Sequence, residues 1–505
     1  MTHKLLSTFA GALLAAPLLA QDPSPSAMWH TMGATDYANL GAKLVGVGDL
    51  DGDGKTDFLS LAPQADVYNF SSAGRVTALS AVDGSVIWEY VGWQDSQRFG
   101  AFVSYPGDIN GDGVDDFVVA EPDANYNNLI NCGRITGVSG TNGAVLWQKH
   151  GASSNAELGR SVIAAGDSNG DGIGDLLLSQ PMASTGNLTR NGVIELISGT
   201  SYINIWTAEG TRDGEMLGAG TKIVDDVDGD ALPDVVSHSP EASTNGHYFN
   251  GVVTMLSSTD GSQLWQLEGG SSLERLGEAV TFGADIDGDT LGDLVLRSPG
   301  ASTNGFYDNG SISLVSGVSG TLVWTTYGPG HGSAYGSSYK FVNDINADGL
   351  QDMLVGVPGE SSNGMSENGA IRALSSVDGS QQWEVFGTSN FGQLGSSFIA
   401  LGDVNGDGFD EFATGLDTAG TQGRIDNGYL QAHSTVDGSM LWRFDGTTSG
   451  EQMGKVTLLV EDISGDGIGD IVVSSHLADV AGFGDNGKVT AIASNDGHQL
   501  WSVHG

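Results

Sequence analysis

A nine-residue acidic pattern that returns at a fixed interval constrains this chain more than any other feature. Its first copy is Asp49-Leu50-Asp51-Gly52-Asp53-Gly54-Lys55-Thr56-Asp57, and further copies begin at Asp108, Asp167, Asp226, Asp285, Asp344, Asp403 and Asp462, each 59 residues after the last. A strict period of this length marks one supersecondary unit repeated, so the 505 residues are an array before they are a number of domains. Ending each unit four residues after a tryptophan gives 34–92, 93–151, 152–210, 211–269, 270–328, 329–387, 388–446 and 447–505, with no insertion breaking the register.

Each unit carries punctuation for four strands. An apolar residue followed by glycine (Leu40-Gly41, Phe99-Gly100, Leu158-Gly159, through Met453-Gly454) opens a strand that runs into the acidic loop. A second apolar run follows, as in Phe117-Val118-Val119, closed by proline in six units (Pro63, Pro122, Pro181, Pro240, Pro299, Pro358). A variable polar loop ends in an Asn-Gly type turn, a third strand alternates as in Gly251-Val252-Val253-Thr254-Met255-Leu256, and a second turn leads to a strand bearing a tryptophan. Short strands, regular turns and no helical periodicity predict an all-β fold. Four strands per unit predict an eight-bladed β-propeller of four-stranded blades, with a seven-bladed ring carrying an extra unit, or a solenoid, as alternatives.

The acidic loop has the spacing of a hard-cation site. Oxygens at positions 1, 3, 5, 7 (backbone carbonyl) and 9 can wrap one ion, and Ca²⁺, which accepts six to eight oxygens in loose geometry, is the expected cofactor, up to one per blade. The expected ligands are Asp49, Asp51, Asp53, Lys55 and Asp57 in unit one; Asp108, Asn110, Asp112, Val114 and Asp116 in unit two; Asp167, Asn169, Asp171, Ile173 and Asp175 in unit three; and Asp226, Asp228, Asp230, Leu232 and Asp234 in unit four. They continue as Asp285, Asp287, Asp289, Leu291 and Asp293; Asp344, Asn346, Asp348, Leu350 and Asp352; Asp403, Asn405, Asp407, Phe409 and Glu411; and Asp462, Ser464, Asp466, Ile468 and Asp470. An EF-hand is excluded, because it needs a glutamate at position 12, where these units hold Ser60, Val119, Leu178, Ser237, Leu296, Val355, Thr414 and Val473. Position 6 calls for positive φ, so Ala231 and Thr290 mark units four and five as the weakest sites, while units one, two, three, six and seven should bind best.

Composition agrees. Sixty-two acids against 19 Lys plus Arg give a formal charge of -43, which repels nucleic acid and anionic membranes and suits cations. Lys4 precedes an apolar run, Leu5 to Leu19, too short to span a bilayer comfortably and followed by Ala20, so residues 1–20 read as a signal peptide and 21–28 as a linker. Residues 29–505 are then one propeller domain, expected to be monomeric and secreted, cell-surface associated or periplasmic. Cys132 is the sole cysteine, so no intrachain disulfide forms, and its equivalents (Ala73, Asn191, Asn250, Asn309, Asn368, Asn427, Asn486) identify it as a turn residue.

Phe99-Gly100, then Gly107-Asp108-Ile109-Asn110-Gly111-Asp112-Gly113, then Asp116-Phe117-Val118-Val119-Ala120-Glu121-Pro122 resembles the FG-GAP repeat of integrin α-subunit propellers and their bacterial relatives. The resemblance implies calcium in the loop between the first two strands of each blade, and partner contacts on the opposite face. Departures are Leu, Tyr or Met before most of the glycines, and Asp417 and His476 in place of the closing proline in units seven and eight. A second resemblance, at Ser375-Ser376-Val377-Asp378-Gly379-Ser380-Gln381-Gln382-Trp383, is to the tryptophan-docking repeat of quinoprotein dehydrogenases, where the indole packs between blades. It implies a structural role for Trp88, Trp147, Trp206, Trp265, Trp324, Trp383, Trp442 and Trp501.

No histidine, cysteine or carboxylate spacing forms a zinc or nucleophile signature, and a single cysteine rules out the adjacent pair expected of a quinoprotein enzyme. The leading expectation is therefore a secreted calcium-binding adhesion or recognition module for a protein or glycan ligand, not an enzyme. The alternative is a calcium-dependent polysaccharide lyase or hydrolase. Candidate contacts on the face opposite the acidic loops are Trp93, Tyr68, Tyr126, Tyr248, Tyr307 and Phe391, since exposed aromatics suit protein or sugar recognition. Trp29-His30-Thr31-Met32-Gly33 copies the fourth-strand signature and gives nine such strands for eight blades. At least one of the two end copies is expected to close the ring.

Overall fold

The computed structural model describes residues 40–283, 285–479 and 484–504. The expected signal peptide, linker and Trp29 segment lie outside them. Among the described residues there is no helix, and the strands form eight four-stranded antiparallel sheets, each a meander in sequence order. In the first sheet these are β1 (Lys43–Gly46), β2 (Phe58–Ala62), β3 (Arg75–Leu79) and β4 (Val86–Val91). The others repeat this plan, and the succession is that of an eight-bladed propeller.

Burial follows strand position. The second and third strands are buried on both faces, as in Leu59 with Ser60 and Val76 with Thr77, because they lie in the middle of a sheet that is itself covered on both sides. Seven hydrophobic clusters each combine residues of two successive sheets, from Val76 and Trp88 with Phe117 and Val119 to Leu430 and Trp442 with Ile471 and Ile492. A fully buried Leu, Ile or Val contributes about 1.5–3 kcal/mol, so these seams hold the array together. No cluster among the described residues joins the last sheet to the first: Leu44 and Val489 are 60% and 37% exposed, where their equivalents Val162 and Leu430 are buried.

Two polar devices fix each seam, and they are the residues that carry the two sequence resemblances. Trp88 donates its indole N–H to the carbonyl of Gly140 in the next sheet at 2.7 Å. The same bond runs from Trp206 to Ser258, Trp265 to Gly317, Trp324 to Ser376, Trp383 to Thr435 and Trp442 to Ser494. The ring lies on a turn glycine: Gly143 has φ +72°, and a Cβ there would sit 2.9 Å from Trp88. The other device is the docking of the residue before the first-strand glycine on the preceding unit's turn. Phe99, fully buried, donates its N–H to Ala73 O at 2.9 Å, and Gly74 approaches so closely that a Cβ would fall 2.3 Å from Phe99 N.

Candidate metal loops and the opposite face

The acidic loop joins the first strand of each sheet to the second. Its first aspartate folds the loop around itself: Asp49 Oδ1 accepts from Gly52 N and Asp53 N (2.8 and 3.0 Å), and Oδ2 from Gly54 N (2.7 Å). Asp53 Oδ1 accepts from Lys55 N at 2.8 Å. Equivalent bonds hold the other loops, for example Asp108 with Gly111, Asp112 and Gly113, and Asp462 with Gly465, Asp466 and Gly467. Short aspartates bonded to backbone two to five residues on are the chemistry of tight turns.

Positions 1, 3 and 5 converge. Asp49, Asp51 and Asp53 bring one carboxylate oxygen each within 4.8 Å of the others, as do Asp226, Asp228 and Asp230, and Asp285, Asp287 and Asp289. Three carboxylates so close repel one another strongly unless a cation sits among them. The donors are carboxylate, amide or hydroxyl oxygens, which fit a hard divalent ion and not zinc or copper. In the remaining loops Asn110, Asn169, Asn346, Asn405 or Ser464 occupies position 3, so the charge density there is lower.

Position 9 is placed differently from the other expected ligands. Asp57, Asp116, Asp175, Asp234, Asp293, Asp352, Glu411 and Asp470 are fully buried. Asp57 Oδ2 accepts from Leu50 N at 2.8 Å and Oδ1 from Ala81 N at 3.0 Å, tying the acidic loop to the turn between the third and fourth strands. Asp116 does the same with Ile109, Asn110 and Gly140. Burial pushes the carboxyl groups of Asp116, Asp175, Asp234, Asp293 and Asp352 up, against the pull of these amide donors. Glu411, one methylene longer, is pushed up to about 7, first by burial and then by Asp407 and Asp403. In the exposed part of the loop the direction reverses, Asp112 being held low by the Thr141 hydroxyl and Val114 N–H.

The expected left-handed position 6 is present: Gly54 has φ +86°, and Ala231 and Thr290 adopt +73° and +81°. Position 4, which the sequence reading passed over, is left-handed too. Gly52 has φ +81°, and unit six places Ala347 there at +63°. Its signal was the glycine at position 4 in the seven other loops.

The candidate contact residues lie at the other end of the strands, in the loops between the second and third strands and in the connections between sheets. These two sets of loops are bonded together, Ser71 N to Asp95 Oδ1 (2.8 Å) and Phe391 N to Ser366 O (2.8 Å). Tyr68 and Tyr248 are 89% and 73% exposed. Tyr126 stacks on His150 at 3.6 Å and Tyr307 on His331 at 5.7 Å, so these rings also cover their own loops. Trp93 lies over the Arg134 guanidinium (4.1 Å), which is itself paired with buried Glu121. Phe391 is exposed and left-handed at φ +57°. Cys132 is buried, and burial raises its thiol pKa.

An array of four-stranded antiparallel sheets, each with an acidic loop between its first two strands and the sheets clasped by tryptophans, defines a propeller-type repeat protein. It carries the FG-GAP repeat: residues 44–79 match that family, and integrin α-subunits are among its relatives. Integrin alpha-8 of Homo sapiens is 32% identical over 156 residues, 30% of this chain and 14% of the integrin. Integrin alpha-5 of Xenopus laevis is 28% identical over 229 residues, 42% of this chain and 21% of the integrin. Phosphatidylinositol-glycan-specific phospholipase D of Bos taurus is 28% identical over 220 residues, 39% of this chain and 26% of that protein. The matches thus span between a seventh and about a quarter of these relatives' lengths.

Proposed function

We propose that this chain is a secreted, calcium-stabilised recognition module, non-enzymatic and monomeric, that binds a protein or glycan through the loops opposite its acidic loops. The observation that carries the reading is the division of labour between the two ends of the strands. One end holds the convergent carboxylates; the other presents exposed Tyr68, Tyr248 and Tyr307. Calcium, held by positions 1, 3 and 5 and the carbonyl of position 7, would relieve carboxylate repulsion and fix the hairpin, with the buried position-9 carboxylate anchoring the loop from behind. The similarity to integrin α-subunits supports adhesion as the class of activity.

The test is a glycan and cell-binding screen, with and without chelator, of the wild type and of Tyr68→Ala and Tyr248→Ala. Binding lost in these variants while calcium-dependent stability stays intact supports the reading. Turnover of a polysaccharide abolished by a point change on this face would make the protein an enzyme.

A further inference from the structure

Because the eight units are near copies, a place where one unit differs can be measured against seven internal controls. The seam between the fourth and fifth sheets holds a cavity of about 320 Å³ on the end of the strands opposite the acidic loops. Its floor is formed by Ser311, Ser313 and Thr325 of the fifth sheet, with Glu274 and Leu276 on one wall and Tyr327 at the rim. Every other unit puts at least one longer side chain at the positions of Ser311, Ser313 and Thr325, among them Arg75, Arg134, Glu195, Gln266, Arg372, Arg443 and Lys488. The equivalent seam before the seventh sheet, lined by Tyr429, Gln431 and Arg443, keeps about 200 Å³, so the two serines and the threonine of unit five enlarge this space rather than create it.

The carboxylate on its wall says what the missing group was. Glu274 is one of three equivalent glutamates, with Glu215 and Glu451, that close the connection entering a sheet. In each, Oε2 accepts from backbone N–H of that connection: Thr211 and Arg212 for Glu215 (2.7 and 3.1 Å), Ser271 for Glu274 (2.9 Å), Thr447 and Thr448 for Glu451 (2.6 and 2.9 Å). The other oxygen is matched from inside the protein in two cases. Glu451 Oε1 pairs with the Lys488 ammonium, and Glu215 Oε1 accepts from Gln266 Nε2 at 2.8 Å. Lys488 is the equivalent of Ser311. Among the described residues no hydrogen bond or ion pair reaches Glu274 Oε1, whereas the equivalent oxygens of Glu215 and Glu451 are met by Gln266 and Lys488. The neighbouring Glu268 is already neutralised by Arg212, and Arg275 pairs with Glu278, which leaves Glu274 as the cavity's unbalanced charge.

We propose that this cavity takes the side chain of a lysine presented by a protein partner, its ammonium on Glu274 Oε1 where Lys488 stands on Glu451. The hydroxyls of Ser311, Ser313 and Thr325 supply the remaining acceptors for its protons, and Leu276 packs along the alkyl stem. The chain's charge of -43 draws a basic partner in. The site lies beside the Tyr248 loop, whose backbone bonds to Ser272 and Leu273, but none of the aromatic side chains proposed above lines it.

The experiment titrates the full chain, at low ionic strength, with butylammonium and with a neutral-flanked peptide bearing one lysine, reading thermal unfolding and heat of binding. Wild type is expected to bind both saturably. Glu274→Gln, which keeps an oxygen for Ser271, should weaken both by about tenfold or more, as loss of a charged hydrogen bond implies. Ser311→Lys should abolish both and raise the unfolding temperature, because it restores the internal cation of the last unit. Absence of saturable binding, or binding unchanged in either variant, overturns the proposal, and binding of the amine without the peptide overturns the assignment to a partner's lysine. Should Ser311→Lys not fold, Glu274→Gln decides alone. Tyr68→Ala and Tyr248→Ala should leave amine binding intact whatever they do to recognition at the aromatic loops.

Discussion

Tyr202 occupies the turn position that glycine holds in the neighbouring units, at φ +60°, and its ring lies 4.4 Å from that of Trp147. Trp147 is buried, yet its indole N–H has no acceptor, whereas Trp88, Trp206, Trp265, Trp324, Trp383 and Trp442 all reach the next sheet's carbonyl. The cause is local: without a glycine beneath it, the indole cannot settle onto the turn.

Replacing Tyr202 with glycine should therefore stabilise the protein. It removes left-handed strain at a bulky residue and frees Trp147 to bond to the Gly199 carbonyl, each worth about 1 kcal/mol, against the loss of one ring contact. A higher midpoint in thermal or urea unfolding is the expected reading, and an unchanged or lower one would show that the ring contact outweighs the turn.

The tryptophan bond can be measured by comparison within the chain. Trp265→Phe gives up a bond to Gly317 as well as ring area, while Trp147→Phe gives up area alone. The first should cost about 1 kcal/mol more than the second. Equal losses would mean that seam tryptophans act by packing only.

Removal of divalent ions should lower the unfolding midpoint, and calcium should restore it better than magnesium, whose octahedral demand suits these loops less. At free calcium one hundred times a loop's dissociation constant, each site contributes about 2.7 kcal/mol. Calorimetric titration after chelation reads the stoichiometry directly, and identical stability with and without chelator would remove calcium from the structural role.

Left-handed strain makes three loops improvable. Ala231→Gly, Thr290→Gly and Ala347→Gly should each raise calcium affinity, Thr290→Gly most, since a β-branched residue at φ +81° is the most strained of the three. The gain should be about 1 kcal/mol, or about fivefold in affinity.

A half-buried imidazole gives a pH dependence of known sign. His238 has its Nδ1 2.9 Å from Gly277 O, and burial, with Lys222 adding to it, holds its ionisation below 6.5. The unfolded chain takes up the proton more readily, so the stability contribution is complete above about pH 6.5 and is lost as pH falls below it. The difference in unfolding free energy between wild type and His238→Gln should shrink with a slope of at most about 1.4 kcal/mol per pH unit below that point.

The fold was legible because its determinants repeat. The tryptophan, the Asn-Gly turn and the apolar-Gly pair each return at 59 residues, and each turned out to touch the neighbouring sheet, so period and architecture are two views of the same contacts. The left-handed strain at Ala231 and Thr290 was readable because glycine is the only residue that reaches such φ without strain. The burial and amide donors of position 9 were not. Its acids look like those at positions 1 and 5 in sequence, and only burial separates them, since Asp57 faces Leu50 N and Ala81 N rather than solvent. The cavity at Ser311 was invisible for another reason: a serine in a strand carries no signal until the lysine of another copy is laid over it.

The seam bonds have a consequence for how such a chain changes over generations. Each interior unit sets a tryptophan against the next sheet and receives one from the sheet before, so the two surfaces exposed by cutting out an interior unit are built to mate. A duplication or deletion of 59 residues leaves no mismatched joint, and copy number is free to drift while the joints stay the same. What cannot be copied so freely is a difference between units, and the vacant seat beside Glu274 is one of these: it gives one member of a uniform array an address.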